Sequence, residues 1–165
     1  MTEFSFRPIG EVRVQASDDE IKGRGHELEC ESRIEIFPEF QDALDRLSGF
    51  SHIFVLSCLH RLRPDQVGVL KVRPRRLMSR GFKLEELPLV GVFAIDSPTR
   101  PNPIGLSLVR LLRIDRRELF VSGLDLFDGT PILDIKPYRG DYRADDYGIA
   151  AWYHRLLSKA TERAS

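Results

Sequence analysis

The alternation of hydrophobic and polar residues predicts a chain built mainly of short β-strands. The clearest case is residues 28–37, where apolar positions alternate with charged ones, as in a strand with one face in water. Residues 4–14 suit a first strand that bends at Pro8 and Gly10, and residues 52–59 are nearly all apolar, as in a central strand. These segments favour an antiparallel sheet.

Further strands are predicted in the second half of the chain. Residues 89–95 and 104–114 are rich in apolar side chains and are predicted as buried strands. Residues 118–126 are predicted to pair with 104–114, and residues 132–135 form a last strand after the hairpin signal Asp128-Gly129. Most of the strands therefore follow one another at hairpin spacing.

Two helices are predicted. A short one covers residues 40–47 and stops at Gly49, and a terminal one covers residues 149–164 with Ile149 and Trp152 on its apolar stripe. Pro74, Ser79 and Gly81 argue against a helix in the basic stretch that follows residue 67. The remaining polar stretches are predicted as loops, at residues 18–29, 61–66, 67–83 and 139–147.

This order of elements predicts a mainly β fold. We expect one domain over residues 1–165, a single antiparallel β-barrel with a short internal helix and a C-terminal helix. A dinucleotide-binding sheet is excluded, because Pro98 and Pro101 forbid the helix that would have to follow the acid-ended segment at Asp96.

The chain as a whole carries no net charge, with 25 Lys and Arg against 25 Asp and Glu, so only local clusters indicate a charged partner. The strongest cluster has six cations and no acid within residues 71–83: Lys71, Arg73, Arg75, Arg76, Arg80 and Lys83. A solvated loop is the simple interpretation, and a loop that contacts nucleic-acid phosphates is the functional one.

Three prolines stiffen the segment between the two apolar stretches, at Pro98, Pro101 and Pro103. The segment is either a rigid surface turn or a loop whose polar side chains Arg100 and Asn102 are held ready for a ligand.

Several classes of site are not expected. The four His and two Cys do not fall into metal-ligand spacing, so we predict no metal, and Cys30 and Cys58 are expected as free thiols. No apolar run has the length of a membrane span, and the first residues lack the pattern of a signal peptide. We expect a cytoplasmic protein without a membrane partner.

The proline segment also carries a family resemblance. Residues 91–94 (Gly-Val-Phe-Ala) lead into residues 97–107 (Ser-Pro-Thr-Arg-Pro-Asn-Pro-Ile-Gly-Leu-Ser), and this run resembles the signature of the TrmO (TsaA-like) methyltransferases. The resemblance extends over about residues 4–140 through further matches in the same order, at Ile9-Gly10, at residues 49–52 (Gly-Phe-Ser-His), and at residues 124–138.

The resemblance implies an S-adenosylmethionine-dependent enzyme on a single β-barrel, acting as a homodimer. It implies methylation of N6 of the threonylcarbamoyl-adenosine at position 37 of tRNA. It also implies cofactor contacts at Val14, Gln15, Ala16, Ser51, His52, Arg100, Leu126, Phe127, Asp128 and Gly129.

The reaction suggests roles for other residues. The urea-like N6 is a weak nucleophile, so we hypothesise that Asp128, Asp134 or Tyr138 supports its deprotonation. Arg100 or Asn102 would hold the carboxylate of the threonyl group or of the cofactor, and tRNA phosphates would contact the cations Lys71, Arg73, Arg75 and Arg76.

One residue departs from the family pattern, since Asp96 stands where many members carry Arg. Two other functions stay open at this point. One is a non-catalytic barrel that binds RNA or a nucleotide, and the other is a small-molecule methyltransferase with the same cofactor pocket.

Overall fold

The computed structural model describes residues 4–15, 17–24 and 31–164. The chain divides into two compact units. The barrel unit comprises Met1–Arg61 and Pro103–Gly140, and the second unit comprises Leu62–Asn102 and Asp141–Ser165. The prediction of one domain over residues 1–165 stays a prediction.

The described residues contain eight strands. Six belong to the barrel unit and two to the second unit: β1 (Gly10–Arg13), β2 (Glu31–Ile36), β3 (His52–Cys58), β4 (Lys71–Val72), β5 (Val90–Gly91), β6 (Ile104–Asp115), β7 (Glu118–Ser122) and β8 (Pro131–Pro137). The six form a closed antiparallel barrel in the order β1-β2-β7-β6-β3-β8. The predicted mainly β fold is confirmed.

Alternate residues of the barrel strands fill its interior. Strand β2 shows the period-two pattern predicted for it, with Ile34 and Ile36 fully buried between exposed or half-buried polar residues. The other strands contribute the same kind of side chain to one core, including Val12, Ile53, Val55, Val109, Leu119, Val121 and Ile132. Because the sheet closes on itself, each of the six described strands has a neighbour on both sides, and no edge strand among them is left unpaired.

Strands β3 and β6 approach closely where Gly105 faces Ser57. A Cβ added to Gly105 would come within 3.0 Å of the Ser57 hydroxyl oxygen and of Leu59 Cδ2. The Ser57 hydroxyl is buried and has no hydrogen-bond partner among the described residues. Gly105 is therefore a packing requirement of this strand pair.

Strands β1 and β6 differ from the prediction. Strand β1 begins only at Gly10, and Phe4 and Phe6 before it are exposed. Strand β6 spans the predicted length, but only its inward residues are buried, and Leu106 on the outer face is 64% exposed. Strand β6, predicted as a buried strand, is therefore buried on its inner face only.

The loop predicted at residues 18–29 is wrong for its first part, which forms a helix, α1 (Asp18–Arg24), and residues 25–29 lie outside the described residues. Ser17 caps it, since its backbone N–H and its hydroxyl both donate to Glu20 Oε2, at 2.9 and 2.8 Å. This Ser-x-x-Glu capping box was the sequence signal for the helix. Ile21 is buried on its inner face.

Tight 3₁₀ turns replace two other predictions. The short helix expected at residues 40–47 is the 3₁₀ segment Pro38–Leu44, which ends before Leu47. The expected basic loop contains the 3₁₀ segment Arg75–Arg80, which ends at Gly81 with φ of 83°. Gly81, which in the sequence argues against a helix here, adopts the left-handed conformation and ends the 3₁₀ segment at its C-terminal side.

The predicted buried strand at residues 89–95 is wrong. Only Val90 and Gly91 pair, with β4, and the chain then turns through Val92–Ala94. The Val92 N–H donates to the Leu70 carbonyl at 3.0 Å, and Phe93 points outwards with 83% of its surface exposed. A short apolar run without alternation does not distinguish a strand from a turn.

The second unit has its own small core beneath helix α2 (Ala151–Ala164), formed by Leu77, Phe82, Leu87, Leu156 and Ala160. The helix starts two residues later than predicted, so Ile149 lies outside it and is exposed. Trp152 is half-buried, edge-to-face with Tyr153 at 5.3 Å.

An ion pair fixes the end of α2 to the rest of this unit. Arg163 Nη2 donates to Glu86 Oε1 at 2.7 Å, and its guanidinium lies 4.2 Å from the centre of the Phe82 ring. The hydrogen bond from Arg163, together with the backbone N–H of Lys83, lowers the pKa of Glu86 to about 2.

Candidate functional site

The turn before β8 is fastened to the end of β1. The Val14 N–H donates to Asp128 Oδ1 at 3.0 Å, and the Gly129 N–H donates to the Val12 carbonyl at 2.8 Å. Gly129 has φ of 72°, a conformation that favours glycine and turns the chain back into β8. Val14 and Gln15 therefore lie beside residues 126–129.

Side chains of this turn differ in what they offer a ligand. Leu126 is buried in the barrel core, whereas Phe127 is half-buried and Asp128 is exposed. Gln15 is exposed as well. Ala16, the third residue predicted after the first strand, lies outside the described residues.

Arg61 joins this group, and the sequence analysis did not single it out. Its Nη1 donates to both carboxylate oxygens of Asp18, at 3.0 and 2.8 Å, and its Nη2 donates to the Asp128 carbonyl at 2.8 Å. Its guanidinium carbon lies 5.2 Å from the centre of the Phe127 ring. The sequence signal was a cation placed just after the end of the central strand.

We call Val14, Gln15, Arg61, Phe127 and Asp128 the β1-end cluster. The cluster combines a carboxylate, a guanidinium, an amide and an aromatic face on backbone that hydrogen bonds hold in place. Arg61 and Asp18 are about half exposed, so their ion pair positions the turn but adds little stability. These groups match a polar ligand that carries both charges and a flat ring.

A second group of predicted residues lies at the start of β3. The Ser51 hydroxyl lies 2.9 Å from His52 Nδ1, and the Tyr138 N–H donates to the His52 carbonyl at 3.0 Å. The Tyr138 ring packs edge-on against Phe54 at 5.5 Å and against His52 at 6.4 Å. Ser51, His52 and Tyr138 are therefore neighbours.

Strand β8 separates the two groups. Its first residue, Pro131, adjoins the Asp128 turn, and its last, Pro137, pairs with Ile53. Six residues of strand span about 20 Å. Within one copy of the barrel, Ser51 and His52 are therefore not in contact with the β1-end cluster, and neither is Tyr138.

Asp134 lies between them on β8 and is already engaged. Its Oδ2 is 2.6 Å from Lys136 Nζ, and its Oδ1 accepts the Ile135 N–H at 2.9 Å. The three candidates for deprotonating N6 thus lie before, within and after β8, with Asp128 alone in the β1-end cluster.

In the second unit, Arg100 is turned inwards. Its Nη2 donates to the carbonyls of Val92 and Ile95, at 3.0 and 2.9 Å, and its Nε is buried without a partner among the described residues. Asn102 is exposed. Arg100 therefore fixes the turn that follows β5, a role that the sequence did not suggest.

The predicted phosphate-binding cations belong to the same unit and divide into two kinds. Lys71, Arg75 and Arg76 are exposed, and no carboxylate of the described chain forms an ion pair with them. Arg73 is half-buried and donates from Nη1 to the Leu87 carbonyl. Three of the four cations are thus open to a ligand.

The zero net charge hides a separation of charge between the units. Residues 62–102 and 141–165 contain twelve Lys and Arg against eight Asp and Glu, a net charge of +4. The barrel unit contains thirteen against seventeen, a net charge of −4. A polyanion is attracted to the second unit.

Two classes of feature are not found within residues 4–15, 17–24 and 31–164. No group of three or more His, Cys, Asp or Glu there is placed to hold a metal ion. None of the helices in this part of the chain is long and apolar enough to cross a membrane. Cys58 is half-buried and free, and Cys30 lies outside the described residues.

Comparison with known proteins bears on what such a barrel does. Residues 21–144 match the model of the tRNA-methyltransferase O N-terminal domain. The chain belongs to the TrmO family. A crystal structure of TrmO from Pseudomonas aeruginosa superposes with a TM-score of 0.69 at 30% identity, over 90% of this chain and 62% of that one. Another TrmO crystal structure gives 0.66 at 34% identity.

Two relatives illustrate what proteins similar to this chain are called. A probable S-adenosyl-L-methionine-binding protein of Methanothermobacter thermautotrophicus is 43% identical over 84% of this chain and 93% of its own length. The tRNA (adenine(37)-N6)-methyltransferase of Mus musculus is 37% identical over 78% of this chain but only 28% of its own length. This chain also spans about 62–64% of the solved TrmO chains.

Proposed function

We propose that this chain is an S-adenosylmethionine-dependent methyltransferase that methylates N6 of the threonylcarbamoyl-adenosine at position 37 of tRNA. The observation that carries the proposal is the β1-end cluster, found in a chain that belongs to the TrmO family. The family sets the reaction class, and the cluster supplies side chains suited to the cofactor.

The chemistry of the β1-end cluster fits S-adenosylmethionine. When bound, the cofactor supplies an electrophilic methyl group on a sulfonium. Phe127 contributes an aromatic ring, the exposed amide of Gln15 can donate and accept hydrogen bonds, and Arg61, whose Nη atoms already bind Asp18 and the Asp128 carbonyl, holds the turn in place. These residues would hold and orient the cofactor, because in-line transfer depends mainly on alignment.

Asp128 is the best placed of the three candidates for proton transfer. Its Oδ1 is held by the Val14 N–H, which fixes the carboxylate, and Asp128 itself is exposed. Asp134 is paired with Lys136, and Tyr138 follows the far end of β8, about 20 Å from the turn that carries Asp128. We therefore assign to Asp128 the removal of the N6 proton.

The tRNA would bind through the second unit. Lys71, Arg75 and Arg76 are exposed there without an ion-pair partner in the described chain, on a unit of net charge +4. Such cations bind phosphates without reading sequence. Because tRNA is cytoplasmic, we infer a cytoplasmic location as well.

We infer further that the protein is a homodimer. The outer face of the β3–β6 pair is apolar: Leu106 and Leu108 are 64% and 46% exposed, beside half-buried Phe54 and Leu56 on the paired strand. A contiguous apolar face of this kind favours association. Leu106→Lys should convert a dimer to a monomer in light scattering, and an unchanged mass would contradict this interface.

The test of the function is methyl transfer from labelled S-adenosylmethionine to tRNA. The substrate is tRNA that carries threonylcarbamoyl-adenosine, and the control is the same tRNA without the modification. We expect label only in the modified tRNA. Asp128→Asn should lower kcat while S-adenosylmethionine still binds, and Asp134→Asn serves as the matched carboxylate control.

Other outcomes contradict the proposal in separable ways. Cofactor binding without label in either tRNA would mean a different methyl acceptor. Absence of cofactor binding would mean a non-catalytic barrel. Equal loss of kcat in Asp128→Asn and Asp134→Asn would remove the specific role given to Asp128.

A further inference from the structure

The second unit contains a cavity of about 330 Å³ whose lining includes no residue of the β1-end cluster. It is lined by Phe93, Ala94, Ile95, Asp96, Arg100 and Tyr153. This volume is at the lower end of the range for small-ligand sites. Its size therefore suits one flat ring better than a large cofactor.

Phe93 is the most exposed of the aromatic side chains around this cavity. It is 83% exposed, although its neighbour Val92 is buried and anchors the same 3₁₀ turn. A large aromatic ring held in water on a fixed turn serves no packing purpose, whereas it can stack on a ligand ring. Tyr153, half-buried on α2, supplies a second aromatic side chain.

The walls of the cavity are preorganised. Arg100 Nη2 donates to the carbonyls of Val92 and Ile95 on either side of the Phe93 turn. The turn is therefore fixed before any ligand arrives, which lowers the entropy lost on binding.

Asp96 supplies a hydrogen-bond acceptor at the same place. Its side chain is exposed, and no residue of the described chain forms a hydrogen bond or an ion pair with it. A carboxylate repels phosphate but accepts a hydrogen bond from the exocyclic amine of a base, as it does from cytosine N4. The cavity thus combines a stacking ring with an acceptor for an amino group.

The cavity is joined to the exposed cations by the β4–β5 pair. Lys71 on β4 lies directly across from Gly91, two residues before Phe93, and Val92 N–H donates to the Leu70 carbonyl. Arg75 and Arg76 follow a few residues after Lys71. A nucleic-acid strand with a phosphate at Lys71 would therefore pass near the Phe93 turn.

From these observations we propose that the cavity at Phe93, Asp96 and Tyr153 binds one unpaired, amine-bearing nucleobase of the RNA substrate. The base stacks on Phe93 and donates its exocyclic amine to Asp96, while Lys71, Arg75 and Arg76 bind the phosphates. This site deepens the proposed function and rests on it for the choice of RNA as the partner. Single-stranded RNA is recognised in this manner, by aromatic stacking and by contacts to base edges.

The first experiment measures the affinity of the full chain for tRNA. Phe93→Ala should weaken tRNA binding about 5- to 150-fold, and Phe93→Trp should retain it. Leu89→Ala is the matched control, because Leu89 is 57% exposed on the same segment but does not line the cavity. Since Phe93 is exposed, its replacement should leave the melting temperature unchanged.

Salt dependence separates stacking from charge. Phe93→Ala should leave the slope of log affinity against log salt unchanged, whereas Arg75→Ala should reduce it by about 0.7–0.9. A reduced slope in Phe93→Ala would overturn the stacking role.

The role of Asp96 is tested with two pyrimidine oligonucleotides of equal length. The wild-type chain should bind oligocytidylate more tightly than oligouridylate, because only cytosine carries an exocyclic amine. Asp96→Ala should bind the two equally. Equal binding by the wild-type chain would overturn the assignment.

The site and the proposed function can fail separately. If Phe93→Ala binds tRNA as tightly as Leu89→Ala while methyl transfer proceeds, only the base site is wrong. If Phe93→Ala loses S-adenosylmethionine instead of tRNA, the cavity belongs to the cofactor and the base site is again wrong. If Phe93→Ala weakens tRNA binding but the wild-type chain transfers no methyl group, the base site is supported and the proposed function is wrong.

Discussion

The close contact between β3 and β6 makes Gly105→Ala a sharp test of the barrel packing. The added methyl group would lie within 3.0 Å of the Ser57 hydroxyl oxygen and of Leu59 Cδ2. The backbone cannot simply move away, because Gly105 and Ser57 are directly paired in the β3–β6 ladder. One of the two side chains or the strand spacing must change.

The expected magnitude follows from the size of this overlap. One extra methyl group in a closely packed interior costs about 1–3 kcal/mol of unfolding free energy. For a chain of 165 residues this corresponds to a fall in melting temperature of roughly 2–12 °C. Gly91→Ala is the control, since a Cβ at Gly91 meets no atom within 4 Å.

A double-mutant cycle identifies the atom responsible. Ser57→Ala alone should be neutral or slightly stabilising, because the Ser57 hydroxyl is buried without a partner in the described chain. Added to Gly105→Ala, it removes the nearest obstacle and should recover about 1 kcal/mol or more. The unfolding free energies would be measured by urea denaturation of the four proteins.

Two results would refute this reasoning. Gly105→Ala with the stability of the wild-type chain would show that the strands are not as close as described. A double variant no more stable than Gly105→Ala would show that Ser57 is not the limiting contact, and that Leu59 alone is overpacked.

Three further predictions concern other contacts. Arg61→Met should weaken S-adenosylmethionine binding measured by calorimetry, by about tenfold, because the turn at Asp128 loses the hydrogen bond from Arg61, and unchanged affinity would contradict its role. The pKa of Glu86 is lowered from 4.5 to about 2 in the folded chain. The stabilisation that Glu86 gains from its pairing with Arg163 is therefore fully present above pH 4.5 and is lost as the pH falls from 4.5 to about 2. Acid titration of stability over this range should therefore be shallower in Glu86→Gln, and identical curves would argue against the pair. Ser17→Ala should cost about 1 kcal/mol in urea denaturation by removing the cap of α1, with Ser48→Ala as the exposed control, and equal stability of the two variants would argue against the cap.

The barrel could be predicted from the sequence because it depends on local patterns. Alternation in residues 31–36 indicated one buried face, and Asp128-Gly129 indicated the turn before the last strand. The capping box at Ser17 was also present in the sequence, and weighing it would have placed α1 correctly. Each of these signals involves residues close together in the chain.

One misassigned segment and one misassigned residue show where local patterns fail. Residues 89–95 are apolar enough for a strand, but β4 offers only two residues for pairing, so the chain turns and leaves Phe93 exposed. Arg100 has the charge of an anion-binding residue, but two backbone carbonyls satisfy its Nη2. Neither outcome can be derived without knowing which backbone groups lack a partner.

By itself, the sequence determined the fold class, the family and most of the strands, because hydrophobic alternation, turn residues and the proline-rich signature are written along the chain. The tertiary structure decided which predicted residues meet. It brought Arg61 to the turn at Asp128, across 67 residues, and it placed Ser51 and His52 at the other end of β3. Such distances are set by strand order and register, which arise from long-range pairing and packing, and no local pattern encodes them.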